Sequence, residues 1–168
     1  IRHVIDGQQR MTTLQLLLHA ATAAMREAGH AKPARLLARL IHNDEEIADG
    51  DDKYKLWPSS GDQQAFKSAV SASDEPVSSE IAGTKVYEAY AYFHTQVAQW
   101  LQAHKAGGAG PAHALTTALM GLLELVAIDL TTSDDAFIIF ETLNARGTPL
   151  MASDLVKNYV LQVGAQQG

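Results

Sequence analysis

The sequence contains no cysteine. Disulfides, thiolate metal centres and cysteine nucleophiles are therefore excluded, and the redox compartment stays open. Positive charge is also scarce: 13 Lys and Arg stand against 19 Asp and Glu, a formal net charge of −6 at pH 7. No strong overall basic field draws the chain to nucleic acid or to an anionic membrane. No apolar run reaches the roughly 20 residues that a membrane span needs. No secretory leader is visible, so the expected location is cytoplasmic.

Several catalytic patterns are missing as well. The seven histidines (His3, His19, His30, His42, His94, His104 and His113) have no metal-ligand spacing and no thiol to complete a site. His42-Asn43 lacks the other elements of an HNH nuclease. Ser59-Ser60-Gly61 lacks the flanks of a nucleophile elbow. Gly107-Gly108-Ala109-Gly110 lacks the Lys-Ser or Lys-Thr of a P-loop. Asp49-Gly50-Asp51-Asp52 lacks the alternating oxygen ligands and distal Glu of a calcium loop, and reads as a turn.

What is present is a chain of 168 residues, 46% hydrophobic and 19% charged, enough for one globular domain with a sizeable core. It starts at Ile1, within an expected strand, so the expectation is a piece of a longer protein. Three segments follow: 1–30 as strand, turn and helix, 31–132 as a mainly helical region, and 133–168 as a helix–turn–helix. The fold class expected is α+β, mostly α-helical, with a small sheet remnant beside a helical bundle.

Met11, Leu14, Leu17, Leu18, Ala21 and Met25 recur at helical spacing, which predicts a helix to about Ala28 with Gly29 as its stop. A second helix is predicted over 32–48, with Leu36, Leu37, Leu40, Ile41 and Ile47 inward. On its polar side Lys32, Arg35 and Arg39 form a modest basic stripe, either a solvated face or a contact for a phosphate backbone. Tyr54 to Trp57 reads as a short extended segment ended by Pro58, and 61–71 as a short helix. A long helix from about Ser79 carries Val86, Tyr90, Phe93, Val97, Trp100 and Leu101 as core. A glycine-rich break at 106–111 precedes a helix over 112–123. Alternation over Glu124 to Leu130 favours a short strand. Helices are expected from Ser133 to about Gly147 and over 152–164.

Chemistry concentrates at two corners. The first is Val4-Ile5-Asp6-Gly7-Gln8-Gln9-Arg10-Met11-Thr12-Thr13-Leu14, a strand, tight turn and helix N-terminus. Backbone N–H groups and the positive end of a helix dipole can face an anion there. Gly7 permits close approach of a ligand. Arg10 offers a planar donor fork suited to phosphate, and Thr12 and Thr13 add hydroxyls. Asp6 would repel a phosphate directly but suits a divalent cation bridging phosphates, or a water. Gln8 and Gln9 suit the orientation of a water or the reading of a base edge. The purely structural alternative is that Asp6 caps the helix, Gly7 makes the turn and Arg10 pairs with Asp6. The second corner runs from Phe140 to Leu150 and on through Ser153-Asp154-Leu155-Val156-Lys157-Asn158. Asn144 and Arg146 sit at its turn, and Asp154 and Lys157 are spaced to pair; a capped corner held by that ion pair is the structural alternative.

The first string closely resembles the Asp-Gly-Gln-Gln-Arg signature of the N-terminal domain of GmrSD-type, modification-dependent (type IV) restriction endonucleases. The segment from Phe140 to Lys157 is similar to that family's second signature, Phe-x-x-Leu-Asn-x-x-Gly-x-x-Leu followed by Asp-Leu-x-Lys. The resemblance implies a nucleotide-site core related to the ParB/sulfiredoxin-like fold. It also implies binding and hydrolysis of a nucleoside triphosphate with Mg2+, coupled to sensing of modified phage DNA and to a separate nuclease domain. Asp6, Gln8, Gln9 and Arg10 would be catalytic, with Asp6 reaching the metal. Gly7, Arg10, Thr12, Thr13, Asn144, Arg146 and Gly147 would bind nucleotide, and Asp154 and Lys157 complete the second signature. The family's upstream Tyr-Gln-Arg element and paired strands are absent from these residues, so a domain truncated at its N-terminus, inactive as a fragment, is expected. Met151 stands where the family often has a Ser or Thr cap, which moves the cap to Ser153. Two other readings stay open: a non-catalytic module that senses nucleotide or DNA, and a helical interaction scaffold.

Overall fold

The computed structural model describes residues 4, 7–44, 48, 53–71 and 78–131. The chain divides into two compact units, Gly7–Leu125 and a second that joins Ile1–Asp6 to Val126–Gly168. In the second unit only Val4 and residues 126–131 are described, and none of them lies in a helix or strand.

The first unit is helical. In order it contains α1 (Gln8–Glu27), α2 (Ala31–Ile41), a 3-10 turn Ser60–Asp62 leading into α3 (Gln63–Val70), α4 (Ser79–Ala82), α5 (Lys85–Ala103), a 3-10 turn Lys105–Gly107, and α6 (Gly110–Gly121). α1 stops as its sequence predicts. Gly29 takes φ +81°, its N–H donates to the Arg26 carbonyl at 2.9 Å, and the His30 N–H donates to the Met25 carbonyl at 2.8 Å. This paired 5→2 and 6→1 closure needs a left-handed residue, which glycine supplies without steric cost.

Two apolar clusters flank α1. One gathers Ala21, Ala24 and Met25 with Ala34 and Leu37 of α2, Val97 and Leu101 of α5, and Ala112 of α6. The other joins Leu16 to Tyr54, Ala65, Phe66 and Val86. Leu16 meets Val86 while Met25 shares a cluster with Val97 and Leu101, so α1 and α5 run parallel. Glu27 adds a contact on the same side, its Oε1 3.1 Å from His94 Nε2. Full burial of a side chain such as Phe66 or Leu37 stabilises the fold by about 1.5–3 kcal/mol.

Several expectations are corrected here. The described residues contain no β-strand; the single bridge is antiparallel, His42 with Tyr54. The strand expected ahead of the Asp6-Gly7 turn falls largely on residues outside the described ones, so the helical part of the expected fold class is what the structure shows. Residues 124–130 stand exposed or half-exposed and are not in a β-strand. A pattern of period two makes a strand only when a neighbour supplies the ladder. α2 ends at Ile41 rather than 48, because His42 turns extended (φ −110°, ψ 144°) to bridge Tyr54.

The long helix expected from Ser79 is broken at Gly83. Thr84 ends one helix and starts the next: its hydroxyl donates to the Ile81 carbonyl at 2.7 Å and accepts from the Tyr87 N–H at 3.3 Å. Trp100, expected in the core, is exposed, with the His104 ring 4.6 Å away. Ile47, the Asp49–Asp52 turn, and the helices expected over 133–147 and 152–164 lie outside the described residues.

Candidate functional site

α1 begins with Gly7 as its N-cap, in the left-handed region at φ +86°, ψ 10°. The first intrahelical bond runs from the Met11 N–H to the Gly7 carbonyl at 2.9 Å. The N–H groups ahead of it have no acceptor within the helix. No side-chain cap bond is made at Gly7, and the first turn carries no acidic side chain. Gly7 holds the N-cap position, and the Asp6 cap and Asp6–Arg10 pair of the structural alternative fall on a residue outside the described ones.

A cation lies at this positive helix end. Arg10 is exposed, yet its guanidinium is folded back over Gly7: a Cβ built on Gly7 would lie 3.1 Å from Arg10 Nη2, 3.4 Å from Cζ and 3.5 Å from Nε. Arginine there adds to the positive end of the dipole rather than offsetting it. Gln8, Gln9 and Thr13 are exposed around the same turn. The Thr13 hydroxyl donates to the Gln9 carbonyl at 2.8 Å, which holds its oxygen at the helix surface. Thr12, in contrast, is 8% exposed and turned inward.

The structure thus brings Gly7, Gln8, Gln9, Arg10 and Thr13 to one helix end. Asp6, Asn144, Arg146, Gly147, Asp154 and Lys157 lie outside the described residues. Guanidinium, backbone N–H and amide N–H groups are donors to anionic oxygen, whereas the Thr13 hydroxyl already gives its proton to the Gln9 carbonyl. The donors suit a phosphate and do not by themselves suit a cation. No cluster of three or more His, Asp or Glu side chains able to hold a metal occurs among the described residues. No described helix is long and apolar enough to cross a membrane.

One polar feature was not singled out from the sequence. Gln15 and His19, one turn apart on α1, are 6% and 5% exposed. Gln15 Oε1 and His19 Nε2 have no hydrogen-bond partner among the described residues. The His19 ring stands edge-on to His42, Tyr54 and Phe66, with centroids 5.2–5.7 Å away. Burial above all, then the positive neighbours His42, Arg26 and Lys53, pushes its pKa from 6.5 down to about 3. His19 is therefore neutral across the physiological range. The signal in the sequence is a polar line at helical spacing, Thr12, Gln15, His19 and Thr22, all buried in the structure.

No curated protein and no solved structure matches the chain. A family does: residues 1–161 match GmrSD_N, described as the N-terminal domain of the GmrSD restriction endonuclease. That match spans both corners at which the sequence concentrates its chemistry, and the chain belongs to this family of restriction-endonuclease N-terminal domains.

Proposed function

We propose that this domain binds and hydrolyses a nucleoside triphosphate, and that it serves a type IV, modification-dependent restriction system in phage defence together with a nuclease domain. The observation that carries the reading is the turn at Gly7. A long helix opens there with no side-chain cap and no carboxylate in its first turn, and a guanidinium lies across the glycine. Helix N–H groups and a guanidinium at one end are a donor set suited to anionic oxygen.

In this reading the N–H groups at the start of α1 and the Arg10 fork receive phosphate oxygens. Gln8 or Gln9 orients the attacking water. Asp6, next in sequence to Gly7, positions a magnesium ion or that water. Magnesium, when bound with the triphosphate, neutralises phosphate charge. The work of the chain's own residues is positioning and charge stabilisation, without a covalent intermediate. Thr13 lies at the exposed rim of the turn, whereas the burial of Thr12 suits a supporting role. The roles of the second-signature residues rest on the resemblance alone.

The test is triphosphate hydrolysis by the full chain and by Arg10→Ala. A loss of tenfold or more in kcat/KM is expected. Equal rates would remove Arg10 from the mechanism and the reading with it. Tight binding by calorimetry without phosphate release would instead make the domain a nucleotide-gated switch.

A further inference from the structure

We infer that the outer face of α2 is a contact surface for the phosphodiester backbone of duplex DNA. Lys32, Arg35 and Arg39 recur at i, i+3 and i+7 and are all exposed, while Pro33, Ala34, Leu37 and Ile41 face the core. At 1.5 Å per residue the three cations span about 10 Å along one helix face. With Leu36 they line an open cleft of about 360 Å³ that no carboxylate borders. Lys55 adds a fourth positive charge at the far end, where its Nζ donates to the Arg39 carbonyl at 2.6 Å.

Two features separate this face from an ordinary solvated one. First, among the described residues the helices packed against it do not neutralise it. α2 packs against α1 and α6. α2 and α6 contain no acidic residue, and the one on α1, Glu27, lies against His94 of α5. A chain with net charge −6 thus keeps three cations together without an ion pair among the described residues. Second, the arrangement works against the helix that bears it. Like charges at i, i+3 and i, i+4 repel, and Lys32 stands in the first turn, at the positive end of the dipole. Arg39, in the last turn, is favourable to the dipole; the mutual repulsion and Lys32 at the opposite end are not, and a row of phosphates relieves both. The inference rests on the DNA-restriction side of the proposed function and is independent of the nucleotide chemistry at Gly7.

The experiment compares the full chain with two variants in fluorescence anisotropy on a mixed-sequence DNA duplex, titrated from 50 to 200 mM salt. One variant combines Lys32→Gln, Arg35→Gln and Arg39→Gln. The other is a charge-matched control, Lys67→Gln, Lys85→Gln and Lys105→Gln, from exposed positions on other elements. Each phosphate contact contributes about 0.9 to the slope of log affinity against log salt. The α2 variant is therefore expected to lower that slope by about 2–3 and the control to leave it unchanged.

Equal losses in both variants would overturn the proposal in favour of net charge. An unchanged slope would overturn it outright. So would loss in the α2 variant of binding to inorganic phosphate or to phosphatidylserine vesicles while duplex binding persists. Triphosphate hydrolysis is read in the same samples. A chain that binds duplex through α2 but turns over no nucleotide would sink the nucleotide reading and leave this one standing.

Discussion

Arg10 and Gly7 fit each other at the start of α1: the guanidinium fills the space where any other residue at position 7 would carry its side chain. The nearest guanidinium nitrogen is 3.1 Å from that point, and the backbone there is left-handed. Glycine is therefore needed twice, for its φ and for its missing Cβ. Gly7→Ala is expected to cost about 1–2 kcal/mol in stability from backbone strain alone. It should also displace the Arg10 side chain and weaken triphosphate binding in calorimetry at temperatures where the variant is fully folded. Wild-type affinity in the folded variant would count against the fit.

Burial of a neutral His19 makes stability depend on pH. Its folded pKa is about 3 against 6.5 for the free side chain. Below pH 6.5 the unfolded chain takes up a proton that the folded chain refuses, so stability is lost as pH falls from 6.5 towards 3. At pH 5 the loss from this residue is about 2 kcal/mol. His19→Leu is expected to abolish that share, giving a smaller difference between urea midpoints at pH 7.5 and pH 5. An identical pH dependence would show that His19 is not the group responsible.

Thr84 is the hinge pin between α4 and α5, bonding to both through one hydroxyl. Thr84→Ala should destabilise by about 1 kcal/mol, the usual cost of losing an N-cap. Thr84→Ser keeps the oxygen and should recover most of it. Thermal unfolding of the two variants side by side decides the matter.

Phe66 is fully buried among Leu16, Tyr54, Ala65 and Val86. Truncation to alanine leaves a cavity and should cost about 3–5 kcal/mol. Chemical denaturation measures it directly, and a cost below 1 kcal/mol would mean that the second cluster collapses around the gap or is not a true core.

The sequence made some of this legible and hid the rest for identifiable reasons. The course of α1, from the polar turn to Gly29, follows from periodicity and one glycine, both local. The end of α2 does not, because its apolar period continues toward Ile47. The helix stops where His42 pairs with Tyr54, a tertiary contact between residues twelve apart. The break at Gly83 is hidden because the apolar period from Val86 to Leu101 is simply extended back to Ser79, and a single glycine does not by itself end a helix. At the candidate site the exposed set Gln8, Gln9, Arg10 and Thr13 was readable as a group. The inward turn of Thr12 required knowing which side of α1 the core occupies. The opposite error occurred at Trp100, which was assigned to the core by spacing and is left at the surface by the neighbours available to it.

α1 is one unbroken cylinder of 20 residues, about 30 Å long, gripped along its length by two separate hydrophobic masses. Together the two masses hold the bar from Leu16 to Met25, while its first turn, Gln8 to Arg10, projects into solvent. The rear of the bar ends in the glycine corner from which α2 departs, so the strut mechanically joins the opening turn of the chain to the basic helix behind it.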